Sequence, residues 1–165
     1  MATAIFYASS VGNTEDIAKR LATKLGDIDT YNICDEGIQK INNYEKIIFG
    51  VSTWGDGDLQ DDWEDSWGDF CDINFSEKTI ALFGLGDQDS YADTFVDGLG
   101  TMYDALKDTG ANIIGFTSIE GFEHEESTAQ IENEFVGLVL DEDNQDDLSE
   151  ERIDAWINTI KERIL

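Results

Sequence analysis

At 165 residues the chain suits a single domain, and a hydrophobic share of 41% excludes a disordered polyelectrolyte in spite of a formal charge of −27. With 37 acidic residues against 10 basic ones it repels phosphate backbones and anionic headgroups, which excludes nucleic acid and favours a basic protein partner. No run approaches the roughly 18 apolar residues of a membrane span, no leader-like segment opens the chain, and Cys34 and Cys71 lack metal-knuckle spacing or disulfide-scaffold density; a soluble, cytoplasmic protein with reduced thiols and no membrane insertion is expected.

The apolar run Thr3–Tyr7 reads as a first strand, followed by the loop Ala8-Ser9-Ser10-Val11-Gly12-Asn13-Thr14. A helix over 14–25 is predicted from Ile17, Leu21 and Leu25 at four-residue intervals, with Gly26 as its stop. Residues 28–33 read as a second strand, 36–43 as a weak helical turn and 46–51 as a third strand. A loop over 52–63 leads to a helix over 62–70, then to a fourth strand over 79–85. After a loop over 84–95 come a helix over 95–106 and a fifth strand over 111–116. The pattern breaks between 116 and 150, where about 118–139 reads as a lobe inserted within the last strand. A closing helix over 150–164 turns Ile153, Trp156, Ile157 and Ile160 toward the core.

Strands alternating with helices predict a doubly wound parallel sheet covered on both faces, one α/β domain over 1–165 with no linker to a second. In such sheets ligands sit beyond the carboxyl ends of the strands. Three loops leave those ends. In the first, Ser9, Ser10 and Thr14 offer hydroxyls, and the backbone of Val11, Gly12 and Asn13 offers N–H groups at a helix N-terminus, a neutral receptor for a phosphate. The loop is neither a Walker loop nor a dinucleotide fingerprint, and by itself such a turn is more often an ordinary helix cap. The second, Ser52-Thr53-Trp54-Gly55-Asp56-Gly57, places a tryptophan at a strand end. The third, Leu85-Gly86-Asp87 through Tyr91-Ala92-Asp93-Thr94, places a tyrosine at another. Two aromatic rings on neighbouring strand ends can hold a flat ring between them.

Taken together and in this order, these three segments resemble those of the flavodoxins, over essentially the whole chain, and the stretch from Phe135 to Gln145 with the lobe before it is similar to the long-chain subgroup. The resemblance implies a five-stranded parallel sheet of order 2-1-3-4-5 and noncovalently bound FMN. It implies a low-potential one-electron carrier, not an enzyme, cycling between semiquinone and hydroquinone. Trp54 and Tyr91 would cover the two ring faces, with Thr53, Gly86, Asp87 and Asp143 against the ring or ribityl chain. The surrounding acids Asp56, Asp58, Asp87 and Asp93 would disfavour a further negative charge. Implied partners are basic-surfaced redox proteins, such as ferredoxin-NADP reductase, photosystem I or a low-potential oxidoreductase, met by a monomer. Val11 departs from the family, which commonly has a second hydroxyl residue there.

Other readings compete. An FMN-dependent quinone or nitro reductase shares the fold but needs a nicotinamide site, and the flavin loops hold no cation for its phosphates. A signalling receiver needs an aspartate where Ser52-Thr53-Trp54 stand. The acidic runs 56–65 and 141–147 lack the glycine and glutamate of a calcium loop, so no metal is expected. Trp63, Trp67 and Trp156 read as core or partly buried residues, and His124 as a solvated one.

Overall fold

A computed structural model describes residues 3–9, 12–54 and 57–165, with the Trp54 side chain outside that description. Strand β1 (Thr3–Tyr7) leads to helix α1 (Asn13–Lys24), then β2 (Asp29–Asn32), the single turn α2 (Ile33–Glu36) and a 3-10 turn at Gln39–Asn43. Strand β3 (Lys46–Trp54) folds back on β4 (Asp58–Leu59), and α3 (Asp61–Asp65) and α4 (Trp67–Cys71) carry the chain to β5 (Thr79–Leu85) and α5 (Asp97–Leu106). After β6 (Asn112–Ile114) come three short strands, β7 (Thr117–Ser118), β8 (Gln130–Ile131) and β9 (Glu134–Phe135), before β10 (Leu138–Leu140) and α6 (Asp146–Ile164).

The main sheet runs β10-β5-β3-β1-β2, all parallel, with β6 also on β5. This is the expected order, because the last strand is split: β6 pairs with Thr79 to Ala81 and β10 with Phe83 to Leu85. Leu82 lies opposite the gap. There a Cβ on Gly137 would come within 2.1 Å of the Leu82 carbonyl oxygen, so only glycine lets the chain rejoin the sheet. Between the two halves, β7, β9 and β8 form a small antiparallel sheet, the insertion expected from the broken pattern.

Side chains alternate across the strands, as their two-residue period requires. Ala4, Phe6, Ile47, Phe49, Ile80 and Leu82 face a core shared with Trp63, Phe70, Leu99 and Met102 from α3, α4 and α5. Ile5, Tyr7, Ile48, Ala81 and Phe83 face the other way, against Ile17 and Leu21 of α1 and Ile153, Trp156 and Ile160 of α6. Trp63 and Trp156 are therefore core residues, each donating its indole N–H to a backbone oxygen, Gly50 and Gly115 respectively.

Several boundaries differ from the sequence reading. The helix expected over 62–70 is two short ones, broken at Ser66, which has φ −96° and ψ 0° and caps both. The strand expected over 111–116 stops at Ile114, because Gly115 turns into the left-handed region at φ 86°. The closing helix starts four residues early, at Asp146, because its first turn is acidic and apolar periodicity cannot show it. His124 is half-buried, its ring 5.3 Å from Phe95 and 5.1 Å from Phe135, with Nε2 bonded to Gln130; the aromatic lining of the inserted segment overrides its glutamate neighbours.

Candidate functional site

Because the strands of the main sheet are parallel, the carboxyl ends of β1, β3, β5 and β10 open on one edge, and every candidate segment leaves from that edge. At the end of β1, the Ser9 hydroxyl accepts from the Gly12 N–H (3.0 Å) and more weakly from Glu15 (3.5 Å). Gly12 caps α1 at φ 93°, where a side chain would be strained although no atom lies within 4 Å of its Cβ position. Asn13 and Thr14 open the helix, and their N–H groups meet no acceptor among the described residues. Ser10 and Val11 lie outside the described residues, as do Gly55 and Asp56.

Strand β3 outruns β1 and brings Ser52 opposite Leu85 and Thr53 opposite Leu59. The Thr53 hydroxyl accepts from the Gly98 N–H at 2.9 Å, which ties the strand end to the start of α5. Gly57, at φ 98°, lies beside Asp97. From β5, Leu85 is buried and the Gly86 N–H donates to the Leu140 carbonyl at 3.2 Å. A Cβ on Gly86 would meet Val96 at 3.0 Å and Phe95 at 3.2 Å, so the backbone is packed tightly there. A small cavity is bounded by Thr53, Gly86, Asp87, Tyr91 and Thr94, backed by Phe95 and Val96. The Tyr91 ring stands 44% exposed above it, while its backbone is held by bonds from Tyr91 N to the Asp87 carbonyl and from Thr94 N to the Tyr91 carbonyl.

Two matching Asx turns hold the β5 and β10 loops. Asp87 Oδ1 accepts from the N–H groups of Asp89 and Ser90, and Asp141 Oδ1 from those of Asp143 and Asn144. Asn144 joins them, donating to Asp87 Oδ1 at 2.8 Å and to Asp141 Oδ2 at 2.9 Å. Asp141 Oδ2 also takes both the backbone and the side-chain N–H of Gln88, and Gln88 Oε1 accepts from Glu123 of the inserted segment. Asp141 is fully buried.

Burial alone would raise the Asp87 carboxyl, but the bonds from Ser90, Asn144 and Asp89 outweigh it and hold the group below the usual carboxylate range. Asp143 moves the other way, pushed up by burial and by the charges of Asp87 and Asp141. Asp93 lies at the far rim, where its hydrogen bond and charge raise Glu125. Asp87, Asp141 and Asp143 converge within 4.8 Å, yet Asp141 is already saturated with N–H donors, so the cluster is built around hydrogen bonds. The structure sets Thr53, Gly86, Asp87, Tyr91 and Thr94 around one cavity with Asp143 beside Asp87, while Ser9, Gly12, Asn13 and Thr14 stand beyond the end of β1 on the same sheet edge and Asp93 lies by the inserted segment. What sequence reasoning passed over is the bracing set Gln88, Asp141 and Asn144. A sign of it was present: Asp141 ends the apolar run 135–140 and is followed at the third position by an asparagine, the same spacing as Asp87 and Ser90.

The donor set suits a phosphate with a flat ring attached. Two N–H groups without an acceptor among the described residues and the dipole of α1 stand at one end, and an exposed tyrosine over a tight glycine at the other. The loops contribute no lysine or arginine. Comparison with known proteins places residues 5–156 within the model of the family described as Flavodoxin. The chain is 44% identical to the flavodoxin of Buchnera aphidicola (94% of this chain, 93% of that one) and 38% identical to that of a Picosynechococcus species (95% and 94%). Its fold superposes on that of Fusobacterium nucleatum flavodoxin bound to flavin mononucleotide with a TM-score of 0.93, at 32% identity and 99% coverage of both chains.

Proposed function

The chain belongs to the flavodoxin family, and from that premise we propose how its own residues serve an FMN-based electron carrier. It is an electron-transfer protein, not an enzyme, and FMN is its cofactor. The observation that supports the site assignment is that the N-terminus of α1, where the Asn13 and Thr14 N–H groups meet no acceptor among the described residues, and the Tyr91 loop lie beyond the same edge of the sheet.

The phosphate is held by the N–H groups around Gly12, Asn13 and Thr14, with the Ser9, Ser10 and Thr14 hydroxyls and the Val11 N–H as further donors to it. Ser52, Thr53, Gly55, Asp56 and Gly57 on one side, and Leu85, Gly86 and Asp87 on the other, border the ribityl chain and ring. Trp54 and Tyr91 lie on its faces, and Thr94, Asp93 and Asp143 on its rim. FMN bound there supplies a ring that takes up and returns single electrons.

The protein's part is electrostatic. A phosphate cradle of neutral donors adds no cation that would favour extra negative charge, and Asp87, held ionised by three N–H donors, disfavours it further. An opposing interaction of about 1.4 kcal/mol lowers a one-electron potential by ~59 mV, so a few such contacts produce a low-potential carrier. The partners are redox proteins, of which the acidic surface favours basic ones: ferredoxin-NADP reductase, photosystem I or a low-potential oxidoreductase, met by a monomer in the cytoplasm. In keeping with a soluble carrier, no helix among the described residues is long and apolar enough to cross a membrane.

Anaerobic titration of the apoprotein with FMN tests the assignment. Stoichiometric quenching of flavin fluorescence is expected, weakened at least tenfold by Gly12→Val. A protein that stays colourless with FMN, or a Gly12→Val variant that binds as tightly, refutes it.

A further inference from the structure

Val96 holds a backbone conformation that its side chain disfavours. It lies at φ 49° and ψ 33°, in the left-handed region, at the capping position of α5, where a residue is ordinarily extended. Left-handed geometry costs an L-residue roughly tenfold in population, and a branched Cβ makes it rarer still. Asp27, Glu77 and Glu132 also have positive φ, but all three are exposed, whereas Val96 has no solvent access. Strain of this kind is kept where the surroundings enforce it, and it gathers at ligand clamps and switches.

The surroundings of Val96 are those of the Tyr91 loop. Its side chain lies against Gly86, where a Cβ would come within 3.0 Å of Val96 Cγ1, and with Phe95 it backs the cavity below Tyr91. Its carbonyl accepts from the Leu99 and Gly100 N–H groups, which starts α5. The stretch from Asp87 to Val96 thus has two unlike ends. At the first, Asp87 is locked in its Asx turn and bridged by Asn144 to the loop after β10. At the second stands the strained residue. Between them, backbone bonds from Glu125 and Glu126 to the Ala92 carbonyl and from Phe95 to the Glu126 carbonyl tie the loop to the inserted segment. The Asp93 and Glu125 carboxyls meet on the same seam, where like charges oppose those bonds. Val96 can regain a favoured conformation only if the chain on one side of it turns. Helix α5 is anchored in the core by Leu99 and Met102, so the side that turns is the loop.

We infer that Val96 is a strained hinge and a positioning residue for cofactor exchange: its left-handed conformation seats the Tyr91 loop, and its relaxation swings the Tyr91 ring away and sets how fast FMN leaves. The inference rests on the placement of FMN beside Tyr91.

The test compares Val96→Gly with Val96→Ala, since both lose the branched methyl groups but only glycine is unstrained at this φ. Release of FMN from the loaded protein, followed by the return of flavin fluorescence after dilution, is expected to be about three- to tenfold slower from the glycine variant. Strain that served packing alone would make the glycine variant the more stable one in urea and leave the two release rates equal. Amide exchange of the full chain without FMN reads the hinge independently of the cofactor. The Phe95, Glu125 and Glu126 N–H groups are expected to exchange through an opening that leaves the amides of β1 and β3 protected, about three- to tenfold faster in the alanine variant than in the glycine one. Equal release rates, or exchange of Glu125 and Glu126 only together with β1 and β3, would overturn the inference; exchange in the parent chain decides the matter if neither variant folds. A parent chain that takes up no FMN refutes the cofactor placement instead, and the exchange pattern still judges the hinge.

Discussion

Replacing Asp141 by asparagine is nearly isosteric, yet the structure makes it a severe change. The two carboxylate oxygens accept five N–H donors: Asp143 N and Asn144 N on Oδ1, and Gln88 N, Gln88 Nε2 and Asn144 Nδ2 on Oδ2. An asparagine keeps one oxygen. Whichever way its amide is turned, at least two donors then face an NH₂ group at a position with no solvent access. A buried donor left unsatisfied costs about 1–3 kcal/mol, so the expected loss is about 3–5 kcal/mol, a large share of the roughly 5–15 kcal/mol that holds a domain together. Urea unfolding of the apoprotein followed by circular dichroism measures it. Because Asp141 also ties the Tyr91 loop to β10, FMN affinity is expected to fall about tenfold, equivalent to ~1.4 kcal/mol. Asp141→Ala serves as the comparison, since it introduces no competing donor and leaves room for a water that can accept from several N–H groups. Alanine should therefore be no worse than asparagine. An asparagine variant within about 1 kcal/mol of the parent, or one clearly more stable than the alanine variant, would refute the reasoning.

Gly137→Ala drives a methyl group into the Leu82 carbonyl, a backbone atom that cannot rotate away, and should cost about 3–5 kcal/mol by the same unfolding measurement. Burial, then the Glu15 and Asp35 carboxylates, push the Tyr7 hydroxyl up to about 12. Its contribution is intact below the unfolded-state value near ~10 and is lost as pH rises from there through about 12. Tyr7→Phe should remove up to about 1.4 kcal/mol per pH unit of that alkaline loss, and identical alkaline unfolding of the two proteins would count against it. Electron transfer to a basic redox partner should slow as salt is raised past about 0.1 M, where charges more than ~10 Å apart are screened; a rate indifferent to salt in stopped-flow measurement would remove electrostatic steering from the account.

The central strands were the most legible part of the chain, because Ile5-Phe6-Tyr7 and Ile47-Ile48-Phe49 are apolar on both faces and only a covered parallel strand needs that. The split of the last strand was legible as a loss of pattern. Its geometry was not, since it depends on the approach of Gly137 to Leu82, residues 55 positions apart in sequence. The break at Ser66 escaped for a similar reason: Trp63, Trp67 and Phe70 keep helical spacing across it, because Phe70 packs on both tryptophans from a separate turn. At the site, the loops and the residue types they offer a ligand could be read from the sequence. The partners that hold those residues in place were silent, because Asp141 and Asn144 are ordinary polar residues until the fold sets β10 beside β5.

The inserted segment supplies the remaining restraint. The stretch from Asp87 to Val96 has no regular structure, so its backbone groups need partners from elsewhere. The Glu125 and Glu126 N–H groups donate to the Ala92 carbonyl, the Phe95 N–H donates to the Glu126 carbonyl, and the Glu123 N–H donates to Gln88. Two residues beyond Glu126, the Thr128 N–H donates to Asp97 at the start of α5. Gly100 of α5 leaves the room for this contact, since a Cβ there would come within 2.2 Å of the Thr128 hydroxyl. The loop is thus fixed from behind through its main chain, which leaves the Tyr91 ring free to stay exposed without being loose. On the site assignment proposed above, a carrier needs that combination: the ring would have to be open for a flavin to stack on it and for a partner to approach its edge, yet stationary enough that each electron meets the same surroundings.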